Sequence, residues 1–541
     1  MTGSIPSWAA GSLYRTGPGR YDVEDTPKGK FRATHWFDGF AHTHKFEIIA
    51  DSEDANGPVR VEYSSRFQAE AYVESIRKAG RIPGLSFGQR QDPCVGIFGK
   101  VMSVFRRSEA NPAPGSENIC VTVQPNMPGF APVSEKTSSG HRAGKRTVFQ
   151  TTDAAIVQEI DPDTMEPLGV ARQRKLHPLL KGPLSAAHAE RDPKTGDLFN
   201  YNLDMGRQAT YRVFRTSAAT GKTDILATIS MPDLKPAYIH SFFLTPSFVV
   251  LCVPSTHLGY MGISVPWNGN IIDAIEPFDK SKLCKWFIVD RHHGRGLVAT
   301  SESPAGFFFH SVNAFEEKDE KTGDITVFCD VIEYPSTDIL RAFEMDALLL
   351  GNKGTYTDTY HKGEELVGDS LQRLARHRFK VPAKKTGKGK DKVARVASEK
   401  ALEFKSPYAG ELPTINPAYT TRKYRYAYSM ASHGHSTLQD AIVKTDLVTR
   451  KTLTWQVKGH TPGEAIFVAR PQELRERGAD TTEDDYEDDG VLLSVILDGF
   501  GRKSYLVCLD AKNMEELGRA ECDWAVGHGF HGCHLPAASR L

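Results

Sequence analysis

Four histidines lie far apart in the chain, each in an apolar, strand-like stretch, at positions His188, His240, His310 and His531. A neutral imidazole binds divalent transition metals through a ring nitrogen. Zinc sites built from closely spaced ligands do not show this spacing. If these four residues bind one ion, only a fold that closes on itself can bring them to one point.

Other histidines compete with this set, because the chain contains 19 of them. A single histidine in an apolar strand is more often a core residue with satisfied hydrogen bonds. Local groupings with chelating spacing are His42/His44, His292/His293, His433/His435 and the cluster His528, His531, His534. Spacing alone does not choose between these groupings and the four distant histidines.

Three acidic residues could orient metal-bound imidazole rings. A ligating histidine usually donates its other ring N–H to an acceptor, which fixes the tautomer and the ring orientation. Asp153, Glu411 and Glu464 lie in apolar or turn-like segments and could be such acceptors. Taken alone, each is more typical of a surface acid.

The segments between these residues alternate between short strands and turns. Apolar β-rich runs occupy residues 246–252, 285–290, 324–330 and 490–497, and turns rich in Asp, Pro and Gly separate such runs. This pattern predicts an all-β sandwich, barrel or propeller. A chain of 541 residues exceeds one small barrel, so the length favours a propeller, although no repeat signature is present.

We expect one domain over residues 1–541, because no convincing linker interrupts the chain. Polar or charged runs at residues 134–146, 379–400 and 476–489 predict surface insertions. A helix is predicted after Asp92 and Pro93, which suit an N-cap and a first-turn proline. Its apolar residues are Ile97, Phe98, Val101, Met102 and Phe105. Such a helix either packs on the core or dips into a membrane surface.

Composition excludes several classes of protein. Equal numbers of basic and acidic residues, 67 of each, argue against a nucleic-acid binder. Eight dispersed cysteines without a CxxC motif do not form a disulfide framework. We find no apolar run long enough to span a membrane and no signal peptide. The sequence carries no pattern that indicates an oligomeric state.

Several motifs along nearly the whole chain resemble the carotenoid cleavage oxygenase family. The opening combines GSLYRTGPGRY (11–21) with HWFDGFAHTHKFEI (35–48), and a central block reads ELPTINPAYTTRKYRYAYSM (411–430). The C-terminal part contains GEAIFVARP (463–471) and GFHG (529–532). Together these motifs are specific to that family.

The resemblance implies a seven-bladed β-propeller with a dome of helices and loops over one face. It implies that His188, His240, His310 and His531 bind one Fe(II) per chain. Glu411 and Glu464 match two glutamates that support the ligands, and Asp153 stands where the family has a third. We expect this shorter carboxylate to reach its histidine through a backbone shift or a water. Family members usually carry further residues before GSLYRTGPG, which leaves the closure of the propeller in question.

The activity implied is that of a non-haem Fe(II) dioxygenase, which adds O2 across one conjugated C=C bond of an apolar polyene. Stilbene-cleaving members carry a lysine where this chain has Thr152, which favours a carotenoid substrate. The chain looks most like the fungal members that cleave torulene to an apocarotenal. The alternatives are central cleavage of β-carotene or an apocarotenoid to retinal, and a non-catalytic carotenoid-binding propeller.

An apolar tunnel lined by aromatic side chains is expected to select the cleaved bond. Near the ligands, Tyr238, Phe307, Phe308 and Phe309 either line this tunnel or pack in the core. The segment QDPCVGIFGKVMSVF (91–105) resembles one in animal members of the family and favours the membrane-surface interpretation. We therefore expect a cytoplasmic protein that attaches peripherally to membranes or lipid droplets.

Overall fold

A computed structural model describes residues 1–51, 54, 57–90, 112–130, 147–349, 371–383, 393–436, 438–475 and 482–537. Seven antiparallel sheets of four to six strands follow one another along these residues, one of them with a short parallel strand added at its edge. Their innermost strands face one another around a common axis. The fold is a seven-bladed β-propeller, as the sequence predicts.

The blades are numbered here in chain order. Blade 1 contains Gly11–Arg20, Phe40–Ala50, Val59–Phe67 and the last strand, Gly532–Pro536. Blade 2 contains Thr122–Pro125, Val148–Thr151, Ile156–Ile160 and Pro167–Arg172. Blade 3 contains Glu190–Arg191, Leu198–Asp204, Thr210–Thr216 and Thr223–Ile229. Blade 4 contains Phe243–Leu244, Phe248–Val253, Cys284–Asp290, Leu297–Ser303 and Ala394–Arg395.

Three blades complete the ring. Blade 5 contains Phe307–Lys318, Ile325–Tyr334, Arg373–Val381 and Glu399–Lys405. Blade 6 contains Glu411–Thr414, Tyr426–Ala431, Ala441–Asp446 and Thr452–Gln456. Blade 7 contains Thr2–Gly3, His460–Pro462, Ile466–Ala469, Gly490–Asp498, Lys503–Asp510 and Glu516–Glu521. A separate hairpin pairs Asp22–Thr26 with Gly29–Arg32.

The ring is closed within blade 1, where an N-terminal strand pairs with the C-terminal strand. Gly11–Arg15 run antiparallel to Gly532–Pro536, so that Leu13 lies opposite His534. The strand Thr2–Gly3 adds a further edge to blade 7. The described strands thus supply the closing pair themselves, which answers the question of closure.

Aspartates end many of the hairpins, as the turn signals in the sequence predict. In each case one carboxylate oxygen accepts the backbone N–H groups two and three residues further on, which makes an Asx turn. These residues are Asp161, Asp192, Asp319, Asp446, Asp498 and Asp510.

Short helices occupy the longer connections. The α-helices are Glu70–Ala79, Ser264–Asn268, Ile339–Ala342 and Met345–Leu349. The 3₁₀ helices are Ser7–Ala9, Trp36–Asp38, Gln173–Lys175, Gly259–Gly262, Ile272–Ala274, Pro417–Tyr419, Gln472–Leu474 and Glu483–Tyr486. Ile76, Val265, Leu340 and Met345 from these helices share one hydrophobic core with Phe309, next to the candidate ligand His310. The helices thus form the predicted dome over one face of the ring.

The motif HWFDG anchors two parts of this dome. The buried carboxylate of Asp38 accepts the backbone N–H groups of Phe87 and Gly88, at 2.6 and 2.7 Å. The ring Nε2 of His35 donates to the carbonyl of Leu340 at 2.9 Å. Side-chain hydrogen bonds to backbone, rather than sheet pairing, therefore hold these two segments over the ring.

The predicted insertions have narrower limits than the sequence indicates. Within residues 379–400, strands occupy both ends, and Phe379 is fully buried. Within residues 476–489, Glu487 and Asp489 are buried, and Glu487 accepts the backbone N–H of Arg425. The ends of residues 379–400 belong to the blades because they pair as strands. Glu487 and Asp489 are part of the buried structure because the carboxylate of Glu487 accepts hydrogen bonds there. Residues 134–146 lie outside the described part of the chain.

The predicted amphipathic helix with Ile97, Phe98, Val101, Met102 and Phe105 also lies outside the described residues. Among the residues that are described, none of the helices has the length and apolar character needed to cross a bilayer.

Replacing Asp38 tests the anchoring of the dome. In Asp38→Ala, two N–H groups lose their buried acceptor, and we expect the free energy of unfolding to fall by about 2–4 kcal/mol. The matched control is Asp319→Ala, which removes the same pair of bonds from an exposed turn and should cost less than about 1 kcal/mol. Denaturant unfolding measures both losses. Equal losses would show that Asp38 does not carry the anchoring.

Candidate metal centre

The structure brings the four distant histidines together on the axis of the ring. One ring nitrogen from each of His188, His240, His310 and His531 lies within 4.8 Å of the others. The Nε2 atom of His531 is 3.1 Å from Nε2 of His188 and 3.0 Å from Nε2 of His310. The residues come from four different blades, which explains their spacing in the sequence.

The three predicted acids come from the other three blades, so each blade contributes one residue of the centre. In order, blades 1 to 7 supply His531, Asp153, His188, His240, His310, Glu411 and Glu464. Most of them lie in or beside the innermost strand of their blade. Asp153 is the exception, because it lies in the hairpin between the second and third strands of blade 2.

Two glutamates each bind one histidine of a neighbouring blade. Nδ1 of His310 donates to Glu411 Oε2 at 2.5 Å, and Tyr334 Oη donates to the other oxygen at 2.7 Å. Nδ1 of His531 donates to Glu464 Oε1 at 2.7 Å. Because Nδ1 carries the hydrogen in both rings, the lone pair is on Nε2 and is directed toward the axis.

Asp153 reaches its histidine directly. Its Oδ2 accepts His240 Nδ1 at 2.9 Å and Tyr238 Oη at 2.8 Å. Its Oδ1 accepts the backbone N–H of Ala187, the residue before His188, at 3.2 Å. No bridging water is needed, and the aspartate supports two ligand segments at once.

The electrostatics of the centre keep His188 and His531 neutral. Burial, and then repulsion by the neighbouring histidines, lowers the pKa of His188 and His531 well below the usual value. Burial alone would raise the pKa of Glu411, but the interactions with His310 and Tyr334 hold it below its ordinary value. Burial raises the pKa of Glu464 to about 7, against the influence of Arg15.

This donor set fits a metal ion. The Nε2 lone pairs of His310 and His531 face each other at 3.0 Å with no hydrogen between them, which is unfavourable unless a cation lies beside both. Two nitrogen ligands that bond one ion at about 2.1 Å and at a right angle lie about 3.0 Å apart. Four neutral imidazoles suit iron, copper, nickel or zinc rather than calcium or magnesium.

Aromatic side chains cover the dome side of the centre. The ring of Phe309 lies 5.8 Å from that of His240 and 4.6 Å from that of Phe307. Tyr238, Phe307 and Phe309 belong to the dome core, whereas Phe308 points to a different core between blades 4 and 5. A cavity of about 410 Å³ lies elsewhere and is lined by Arg20, Tyr21, Asp22, Arg32, Met345 and Leu349.

The competing histidine groupings have other partners. His44 is bonded to Tyr63, and His433 is bonded to the buried carboxylate of Asp440. Nε2 of His534 donates to the carbonyl of Ala9, and His292 and His293 are exposed. Among the described residues, the four distant histidines are the only group whose ligand atoms converge.

Sequence reasoning missed three residues that support the carboxylates: Arg15, Tyr238 as a hydrogen-bond donor, and Tyr334. Arg15 Nη1 lies 3.3 Å from Glu464 Oε2. Arg15 and Glu464 are 449 residues apart, so no local pattern connects them. In the sequence, these roles were indicated only by position: Arg15 lies in the motif RTGPG, and Tyr238 lies two residues before His240.

Comparison with known proteins agrees with this architecture. The model of the family described as retinal pigment epithelial membrane protein matches residues 1–536. A torulene dioxygenase of Fusarium fujikuroi is 47% identical over 550 residues, covering 99% of this chain and 91% of the relative. A carotenoid dioxygenase of Neurospora crassa is 46% identical over 560 residues, covering 100% and 89%. The β,β-carotene 15,15′-dioxygenase of Mus musculus is 28% identical, covering 99% and 89%.

The fold also matches solved structures. A variant of apocarotenoid oxygenase from Synechocystis superposes with a TM-score of 0.69 at 22% identity, covering 99% of this chain and 94% of that one. The cobalt-substituted form of the same enzyme gives a TM-score of 0.68 at 22% identity, with the same coverage. At this identity the likeness concerns the fold.

Removing one candidate ligand tests the centre. We expect the protein to bind one divalent ion per chain and His240→Ala to bind it more than about 100-fold more weakly, since changes behind the ligands alone cost 10–100-fold. The matched control is His377→Ala, which removes another buried histidine bonded to a carboxylate, Glu333, at 3.0 Å. Cobalt(II) titration followed by absorption measures both. Unchanged binding by His240→Ala would contradict the site.

Proposed function

Since the chain belongs to the carotenoid oxygenase family, we propose that it is a non-haem Fe(II) dioxygenase that cleaves one conjugated C=C bond of a carotenoid. The observation that carries the proposal is the convergence of four histidines and three carboxylates, one residue from each blade. The 47% identity with a torulene dioxygenase over nearly the whole chain supports torulene as the substrate.

One Fe(II) per chain would be held by His188, His240, His310 and His531. When bound, the iron would supply open coordination positions at which O2 is activated next to the polyene. The reaction adds both oxygen atoms of O2 to the two carbons of one double bond. The C=C bond breaks and two C=O bonds form, so no further oxidant or reductant is required.

The protein's own residues act by holding and positioning. The carboxylates of Asp153, Glu411 and Glu464 accept the Nδ1 hydrogens and keep each Nε2 lone pair available. The apolar surface formed by Phe307 and Phe309 excludes water and offers contacts that suit a conjugated chain. The side chains described around the centre provide orientation and electrostatics, with no separate acid or nucleophile required.

The polarity of the site favours an apolar substrate. Thr152, next to Asp153, offers no cation to a phenolic oxygen. The described cover on the dome side is formed by aromatic and aliphatic side chains. A hydrocarbon carotenoid suits such a surface better than a stilbene. Central cleavage of β-carotene is the second candidate, supported by the mouse relative that carries that activity in its name.

Product identification tests the substrate and the bond. Iron-loaded protein in mild detergent should convert torulene to a single long apocarotenal under O2 and use β-carotene poorly. His240→Ala should give no product, whereas His377→Ala should remain active. Retinal from either substrate would instead establish central cleavage. Binding of carotenoid without any product, at one iron per chain, would indicate a non-catalytic carotenoid-binding propeller. Chromatography with mass spectrometry distinguishes these results.

We further propose that the protein attaches peripherally to the cytoplasmic face of membranes or to lipid droplets. Exposed apolar side chains cluster just before the helix Ser264–Asn268: Tyr260 is 84% exposed and Ile263 is 57% exposed. After this helix, the chain forms a β-bridge with the segment next to Leu85. The backbone N–H of Ser86 donates to the carbonyl of Gly269, and the N–H of Ile271 donates to the carbonyl of Ser86, which fixes this cluster to the dome. Burial of such side chains in the headgroup region favours attachment. A carotenoid dissolved in lipid would then have a short path to the protein.

Substitution of the exposed cluster tests attachment. The double variant Tyr260→Asn with Ile263→Ser should bind phosphatidylcholine vesicles at least about tenfold more weakly, because two apolar side chains no longer enter the bilayer. Asparagine suits position 260, where φ is 50°. The control Phe500→Ser removes an aromatic that is 73% exposed on an outer hairpin of blade 7. Vesicle co-sedimentation that decreases equally in both variants would argue against a specific attachment surface.

A further inference from the structure

Arg15 lies in a slot that two glycines leave open. Its side chain is 3% exposed. A Cβ atom at Gly463 would lie 2.8 Å from Arg15 Nη2, and a Cβ at Gly532 would lie 2.7 Å from Arg15 Cδ. The glycines of the segments GEAIF and GFHG thus make room for one buried guanidinium.

The guanidinium begins a series of contacts that ends at a candidate ligand. Arg15 Nη1 donates to Glu464 Oε2 at 3.3 Å, and Nη2 donates to the carbonyl of Gly529 at 3.4 Å. The same Oε2 accepts the N–H of Gly532 at 2.7 Å, and Oε1 accepts His531 Nδ1 at 2.7 Å. The hydrogen-bonded contacts of Arg15 therefore reach His531 through Glu464.

This series crosses the junction that closes the ring. Arg15 lies on the N-terminal strand of blade 1, directly opposite Gly532 of the C-terminal strand. The N–H of Thr16 donates to the carbonyl of His531 at 3.0 Å. Glu464 comes from blade 7. The ion pair and the histidine contact can form together only when the two ends of the chain are paired.

The other two carboxylates have a different environment. Asp153 and Glu411 each accept a hydrogen bond from a neutral phenol, Tyr238 or Tyr334. The contacts of Asp153 join blade 2 to blade 4, and those of Glu411 join blade 6 to blade 5, so neither involves the closing strands. Among the described residues, only the Glu464 branch contains a buried cation. Leaving one member of a buried ion pair alone is strongly unfavourable, so this branch depends on closure most.

We propose that Arg15 is a positioning residue that couples closure of the ring to metal binding at His531. The inference rests on the proposed metal centre. Coupling between two equilibria is reciprocal. Correct pairing of Gly11–Arg20 with Gly532–Pro536 therefore raises metal affinity, and the bound ion strengthens that pairing by the same factor.

Cobalt(II) titration and hydrogen exchange test the coupling without using activity. In the wild type, cobalt should slow backbone hydrogen exchange in residues 11–16 and 532–536, and leave the outer strand Thr452–Gln456 unchanged. Arg15→Met should weaken cobalt binding by about 10–100-fold, change the cobalt absorption spectrum, and abolish the protection. Arg15→Lys keeps the charge and should restore most of the affinity.

The matched control is Arg291→Met. Arg291 is another buried arginine that joins two blades through a carboxylate, Asp192, but it does not contact a candidate ligand. It should lower stability and leave cobalt affinity and spectrum unchanged. Equal cobalt affinity and protection in Arg15→Met and the wild type would overturn the coupling. Absence of cobalt-induced protection at residues 532–536 in the wild type would overturn it without any variant. Absence of cobalt binding in the wild type would instead refute the metal centre itself.

Discussion

Four imidazole rings can hold one cation only while each keeps an unprotonated nitrogen directed at the same point. This requirement determines the rest of the centre. Burial keeps His188 and His531 neutral, and acceptors behind His240, His310 and His531 fix the hydrogen on Nδ1. Buried acceptors must in turn be satisfied, which the phenols, Arg15 and backbone N–H groups provide. The site is therefore a hydrogen-bonded network several residues deep.

The propeller suits such a network because its innermost strands all end near one axis. The contacts that orient the rings run between blades: Glu411 of blade 6 bonds His310 of blade 5, and Glu464 of blade 7 bonds His531 of blade 1. The geometry of the centre thus depends on how blades pack against one another. Exposed turns, such as the one at Asp319, instead satisfy their own backbone groups locally.

The sequence predicted local structure, and missed contacts between residues that are distant in the chain. Alternating strands and Asx turns are local signals, so the all-β fold could be recognised, and the family motifs indicated seven blades. The histidines could be found because an imidazole in an apolar strand is conspicuous, but spacing could not separate His531 from His528 or His534. Arg15 could not be recognised as part of the site, since its partner Glu464 lies 449 residues away. The end of the acidic segment, at Glu487 and Asp489, could not be recognised as buried because acidity usually marks a solvated loop, whereas here Arg470 pairs with the carboxylate of Asp489.

Asp153 shows why side-chain length was a poor guide to function. A glutamate at this position would place its oxygen one methylene further from the backbone, and the aspartate was therefore expected to need a water or a shift. In the structure, the carbonyl of Asp153 accepts the N–H of Ser185, and its carboxylate accepts the N–H of Ala187. The blade 2 hairpin is thereby held against the segment that carries His188. Tyr238 then completes the hydrogen bonds of the oxygen that faces His240. What the site requires is a carboxylate oxygen at hydrogen-bond distance from His240 Nδ1. The position of the backbone at Asp153 compensates for the shorter side chain.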